Sequence, residues 1–307
     1  MNKSLTIQIL KRTKLYFGLR TLACLINRVA YLLMPLIFGL SINHLVKGDY
    51  NGAFNFAIIG LVIGLIAKGS QLCKTYTWFL LSNKLTHEYT KIAGEKLFEK
   101  TKVDKHGEVL NVLTNDITVM SDFIPRMIRI WMRSIDLIFI FVYFYLVGFY
   151  FGFSATIAML LCLAILYLAQ DKIKSVNQEF LIASDKRISF VDKVINKRKS
   201  QEIPTKERLK DLVLDFAKKR TSQHLTEWTV KQLVEAIIET FRWGSVILSI
   251  YLFANGNIEI GVIVVLYGYY TSLNNSFKDL SELIITVNQW RVSKKRFIDF
   301  CENKEIK

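Results

Sequence analysis

A chain of 307 residues that is 51% hydrophobic, with a positive mean hydropathy, is not composed like a soluble protein of two domains; several of its apolar runs reach the ~20 residues that cross a bilayer. The net charge of +15 raises nucleic-acid binding, but the basic residues fill the gaps between apolar runs, as in the loops of membrane proteins, and no nucleic-acid partner is expected. Cys24, Cys73, Cys162 and Cys301 are scattered without metal spacing and the four histidines are equally dispersed, which argues against a disulfide framework or a metal site.

In chain order the predicted elements are six apolar spans. The opening MNKSLTIQILKRTKLYFGLR is basic and amphipathic, and the apolar run after it is too long for the core of a cleavable signal peptide. The first span covers roughly 16–45 and carries Pro35. The second begins near Ala53, leaves the bilayer near Phe79 and presents Gly60 and Gly64 as a small-xxx-small face. The third covers about 128–147. The fourth follows the tight GFYFGF and ends near Ala169. The fifth covers about 233–253, and the sixth runs over about 258–270 and continues as a helical pattern to Phe300. Backbone in lipid must satisfy its own hydrogen bonds, so all six are expected to be α-helices.

The connections alternate. VKGDYNG, GFYFG and ANGNIE are short and nearly free of basic residues. The segments 82–126 and 171–225 are long and charged, the second with 14 Lys/Arg against 8 Asp/Glu, which places both, and both termini, in the cytoplasm. Apolar residues recur three and four apart in LSNKLTHEYTKIAGEKLFEK, VNQEFLIASDKRISFVDKVIN and RLKDLVLDFAKKRTSQHLTEW, so these are amphipathic extensions of the spans rather than globular domains.

Ionisable side chains within spans are costly and mark candidate functional positions. Arg28, Lys68, Asp136, Glu235, Glu239 and Arg242 are the candidates for a substrate cavity. Glu235, Glu239 and Arg242 lie four and three apart on one helical face, and Arg133 shares a face with Asp136. Lys74, Arg129 and Arg133, nearer the basic loops, read as internal ion pairs or as cations reaching the interface. A mixed-charge cavity suits a peptide or amphipathic substrate better than a neutral one. No nucleophile–base pair is present, and the spaced glycines of GLIAKGS, at Gly64, carry Ser70 where a phosphate-binding Lys would stand, so this chain is not expected to be an enzyme.

Three stretches give the pattern a family likeness. GEVLNVLTNDITVMSDFI, from Gly107, leads into the third span; NGNIEIGVIVVLYGYYTSLNNSFKDLSELI, from Asn255, turns into the sixth; VSKKRFIDFCE, from Val292, closes its helix. In this order and on this topology they resemble the transmembrane domain of type I ABC exporters. The resemblance implies an all-α membrane protein of six long transmembrane helices with cytoplasmic helical extensions. It divides the chain into an N-terminal elbow helix over 1–15, the six-helix domain over 16–300 and a tail over 301–307.

It also implies a permease subunit in the bilayer of the plasma membrane. Its partners would be a second transmembrane half, with a heterodimer favoured over a homodimer, and an ATPase domain in trans. No cofactor is expected in this chain; ATP and Mg2+ would sit on the partner, because Lys307 stands where a nucleotide-binding domain would begin. The cargo would be a peptide, lipid or amphipathic small molecule. Two departures stand out in the coupling loops. The first loop, with Asp104, Lys105, His106 and Gly107, is short. The second, with Lys199, Ser200, Gln201, Glu202, Ile203 and Pro204, carries charge where the family has an apolar knob. They imply docking that is weakened or remade, and they raise the alternative of an exporter-derived regulatory, immunity or scaffold protein that transports nothing.

Overall fold

The computed structural model describes residues 2–99, 109, 111–197 and 206–302. The described chain is helical: α1 Asn2–Val46, α2 Tyr50–Glu99, a π-helical turn at Val112–Asp116, α3 Ile117–Val147, α4 Phe149–Lys197, α5 Lys206–Ala254 and α6 Ile260–Cys301. The boundary expected between an elbow and the first span falls inside α1, which runs on without a break. At 49 residues each, α4 and α5 are roughly 70 Å long, more than twice the ~30 Å of hydrocarbon they would cross, so they project well beyond it. They pair along their charged arms through Lys219–Glu179 at 2.6 Å, Gln223–Asn177 at 3.2 Å and the rings of Phe180 and Phe216.

The short connections are helix caps. Gly48, at φ +76°, ends α1, and the Asp49 carboxylate accepts the Gly52 N–H at 2.9 Å to start α2. The expected GFYFG loop contracts to Gly148 alone, since α4 begins at Phe149. Gly256, at φ +73°, ends α5 in the same way as Gly48 ends α1.

α1 to α5 are each long and apolar enough to cross a membrane; α6 is not, so by this measure the described residues supply five of the six predicted spans. The reason lies in packing. α6 is enclosed by α1, α3, α4 and α5, and spends its polar groups on them. Tyr269 donates to the Leu32 carbonyl at 2.9 Å; the Tyr270 hydroxyl bonds Ser245 at 2.8 Å and Ser154 at 3.1 Å; Asn274 donates to Glu235 at 3.1 Å. A helix face that meets protein need not be as apolar as one that faces lipid.

Two apolar cores stack along the bundle. One, with Ile140, Phe144, Phe151, Leu266 and Tyr269, lies toward the short turns. The other, with Leu81, Leu85, Tyr89, Ile117, Phe297 and Phe300, lies toward the long loops. Near the short-turn end α1 and α6 almost touch. A Cβ on Gly261 would lie 2.0 Å from the Gly39 carbonyl oxygen, and one on Gly268 would lie 2.9 Å from Pro35. Asn43 holds this crossing, accepting the Gly261 N–H at 2.6 Å and donating to Glu259 at 2.5 Å. The pair expected to allow close approach, Gly60 and Gly64, makes only ordinary contact with Ile37 and Met34.

Gly261→Ala must therefore push α1 and α6 apart, and is expected to cost about 1–3 kcal/mol. Gly244, with open space around its Cβ position, is the control. The check is thermal unfolding of both alanine variants in one detergent.

Candidate functional site

Between the two cores a ladder of charge crosses α1, α3 and α6. Arg28 lies 3.3 Å from Asp136, with side chains 8% and 3% exposed. Asp136 also accepts from Arg133 at 3.1 Å, and Arg133 reaches Asp279 at 2.6 Å. Arg129 approaches Asp279 at 3.8 Å and Glu282 at 2.9 Å, and Arg126 meets the other oxygen of Glu282 at 3.1 Å. Helical spacing builds the ladder. Arg126, Arg129, Arg133 and Asp136 recur three and four apart on α3, and Asp279 and Glu282 three apart on α6, so one stripe faces the other.

The sequence candidates divide between two places. Arg28 and Asp136 belong to the ladder. Glu235, Glu239 and Arg242 line the α5–α6 contact: Glu235 pairs with Lys278 at 2.8 Å, and Arg242 binds Glu239, stacks 4.4 Å from the Tyr267 ring centre and reaches Thr271 at 3.4 Å. Lys68 joins neither; it is exposed on α2, with no ion pair among the described residues. Asp279 and Glu282 were not among the candidates. Their signal was two carboxylates three apart on the helical continuation of the sixth span, matching the basic stripe of α3. The coupling-loop candidates Asp104, Lys105, His106, Gly107, Lys199, Ser200, Gln201, Glu202, Ile203 and Pro204 lie outside the described residues.

Toward the long-loop end a cavity of about 540 Å³ opens among α1, α2, α3 and α6. Its walls are nearly all apolar, with Phe17, Met127, Trp131 and Phe297 among them, and with Phe123 stacked on Trp290 at 4.3 Å. Lys294 stands 4.6 Å from the Trp290 ring centre and is the one cation of the lining. Below it the first and third family-like stretches meet. Buried Asp116, at the end of the π-helical turn, faces Arg296 across 4.0 Å, and Tyr89 packs edge-on against Phe297. Glu88 binds Arg12 at 3.1 Å and Lys84 at 3.3 Å, and so ties the start of α1 to α2.

GLIAKGS lies within the unbroken α2, where backbone N–H groups are taken by the helix and cannot cradle phosphates. Among the described residues no group of His, Cys, Asp or Glu could hold a metal ion.

Comparison with known proteins gives two positive results. The family model for the ABC transporter transmembrane region matches residues 17–198. The fold is similar to that of a bacterial Atm1-family ABC exporter solved with ATP bound, at a TM-score of 0.75 and 14% identity. That likeness covers 95% of this chain and 54% of the exporter's, so the chain spans about half the length of that protein. No curated protein sequence matches.

A buried pair stripped of one partner leaves a bare charge. Asp136→Leu is expected to cost about 3–5 kcal/mol, and the double change Arg28→Met with Asp136→Leu less than Arg28→Met and Asp136→Leu added together. Chemical unfolding of the four proteins in one detergent gives the coupling directly.

Proposed function

Because this chain belongs to the ABC transporter transmembrane region family, we propose that it is the membrane-spanning permease subunit of an ABC-type exporter. The observation that carries the reading is the match over residues 17–198 together with an exporter-like fold over 95% of the chain. In this reading all six long helices cross the plasma membrane. α6 crosses as the least apolar of them because its polar side chains are spent inside the bundle. Both termini and the α4–α5 arms lie in the cytoplasm, the side favoured by their Lys and Arg.

The subunit pairs with a second transmembrane half, more readily a related subunit than its own copy, since its coupling loops carry charge where an apolar knob would dock. An ATPase in trans binds ATP with Mg2+ and hydrolyses it; this chain is not an enzyme. Its cargo is a peptide, a lipid or an amphipathic small molecule. A cavity of mostly apolar walls with one cation, Lys294, supports that choice, for it offers a surface to a hydrocarbon or aromatic group and a single positive charge. Rigid-body rocking of helix groups, driven by the ATPase, would carry such cargo outward.

The test is a pull-down of the tagged protein from its native membrane in mild detergent, followed by mass spectrometry and an ATPase assay. Co-purification of an ABC ATPase or a second half-transporter, with ATP hydrolysis in the eluate, is the expected outcome. Elution without either, and without hydrolysis, would instead favour an exporter-derived scaffold or regulatory protein.

A further inference from the structure

Beside the ladder stand cations that its carboxylates do not reach. Arg20, on α1, is 1% exposed. Its guanidinium donates to the Lys74 carbonyl, its Nε has no hydrogen-bond partner, and no carboxylate among the described residues pairs with it. The Lys74 ammonium, on α2, donates only to the neutral oxygens of Asn27 and Gln71, both at 3.0 Å. Trp78 gathers three guanidiniums around one ring, Arg20 at 5.2 Å and Arg126 and Arg129 at 5.9 Å each. The cluster as a whole holds six cations, Arg20, Arg28, Lys74, Arg126, Arg129 and Arg133, against three carboxylates, Asp136, Asp279 and Glu282, a surplus of three positive charges.

Such a surplus is expensive where water is scarce, because desolvation and mutual repulsion act together. The face of Trp78 offsets part of it. Arginine cannot relieve the rest by losing its proton. An anion can, and guanidiniums fit the oxygens of phosphate and carboxylate better than any other side chain does. Lys74, Trp78, Arg126 and Arg129 are only half-buried, so the cluster can be reached from outside the protein.

We propose that Arg20, Lys74 and the guanidiniums around Trp78 bind the phosphate or carboxylate group of an anion. As a statement about cargo it rests on the exporter reading above; as a statement about binding it does not. The same chemistry comes from two sources, a lipid headgroup of the surrounding leaflet or a free anion, and the experiment separates them.

The full chain is reconstituted in nanodiscs of phosphatidylcholine and its thermal unfolding followed with added dodecyl phosphate, inorganic phosphate or the uncharged dodecyl maltoside. The series is repeated in discs that contain phosphatidylglycerol. Dodecyl phosphate and inorganic phosphate are each expected to raise Tm saturably, and dodecyl maltoside not at all. Arg20→Gln and Lys74→Gln should each weaken the effect at least tenfold, whereas Lys172→Gln, at an exposed site on α4, leaves it unchanged. If Arg20→Gln does not fold, Lys74→Gln, half-buried and free of carboxylate contacts, carries the comparison alone. A Tm already raised by phosphatidylglycerol, with no further rise on adding either phosphate, identifies the lipid headgroup as the source; a rise only with an added phosphate identifies a free anion. Equal shifts in the native protein and the Lys74 variant, or no shift with any anion, overturn the proposal. The readout needs neither ATP nor a partner, so an eluate without ATPase would sink the transport reading and leave this one standing.

Discussion

A polar group taken out of water has to find its partner inside the protein, and in this chain α6 supplies many of those partners. From its start to its middle, α6 meets α1 through Gly261 and Tyr269, α4 and α5 through Tyr270, α5 through Asn274, and α3 through Asp279 and Glu282. Each contact leaves a group on another helix satisfied: the Asn43 amide, the Leu32 carbonyl, Ser154 and Ser245, Glu235, and three arginines. In hydrocarbon an orphaned group has no water to fall back on. The lateral arrangement of α1, α3, α4 and α5 thus follows from the polar pattern of one central helix.

The charge ladder sets the level at which α3 and α6 pass each other. Arginines three and four apart on one helix face carboxylates three apart on the other, with apolar cores on both sides of the level. A slide of one turn would leave the end members of the stripe facing Ile or Phe. Buried ion pairs of this kind add little net stability against apolar side chains of the same size, but a displaced register is penalised heavily, since it strands charge. Close backbone contact acts in the same direction at the other end. Gly39 and Gly261 leave no room for a side chain between α1 and α6, so α6 is pinned at two levels by groups that do not tolerate sliding.

The family-like stretches acquire physical roles in the folded chain. In NGNIEIG the first Gly takes the left-handed conformation that ends α5, and the last admits the backbone of α1. Asp116, from the stretch that begins at Gly107, faces Arg296, from the stretch that begins at Val292, and the aromatic after that Arg packs on Tyr89 of α2. Two motifs 180 residues apart in number are therefore one joint, which closes the bundle below the cavity and ties α2, α3 and α6 together where the long loops leave it.

Much of this was legible in the chain itself. Runs of apolar residues of bilayer length, short neutral turns alternating with long basic ones, and helical periodicity beyond each span determine an all-helical membrane fold with projecting arms, because those signals are local and act on each helix separately. The shared face of Arg133 and Asp136 was equally local, a matter of three residues on one helix. The tertiary structure decided what depends on two helices at once. It chose Gly39 and Gly261 rather than Gly60 and Gly64 for close approach, brought Asp279 and Glu282 to the basic stripe of α3, left Lys68 on the surface, and buried Tyr269, Tyr270 and Asn274 of α6 against neighbouring helices. Spacing along a helix says which residues share a face; which face meets which neighbour is settled only when polar groups from distant parts of the chain compete for the same few partners in a medium that supplies none.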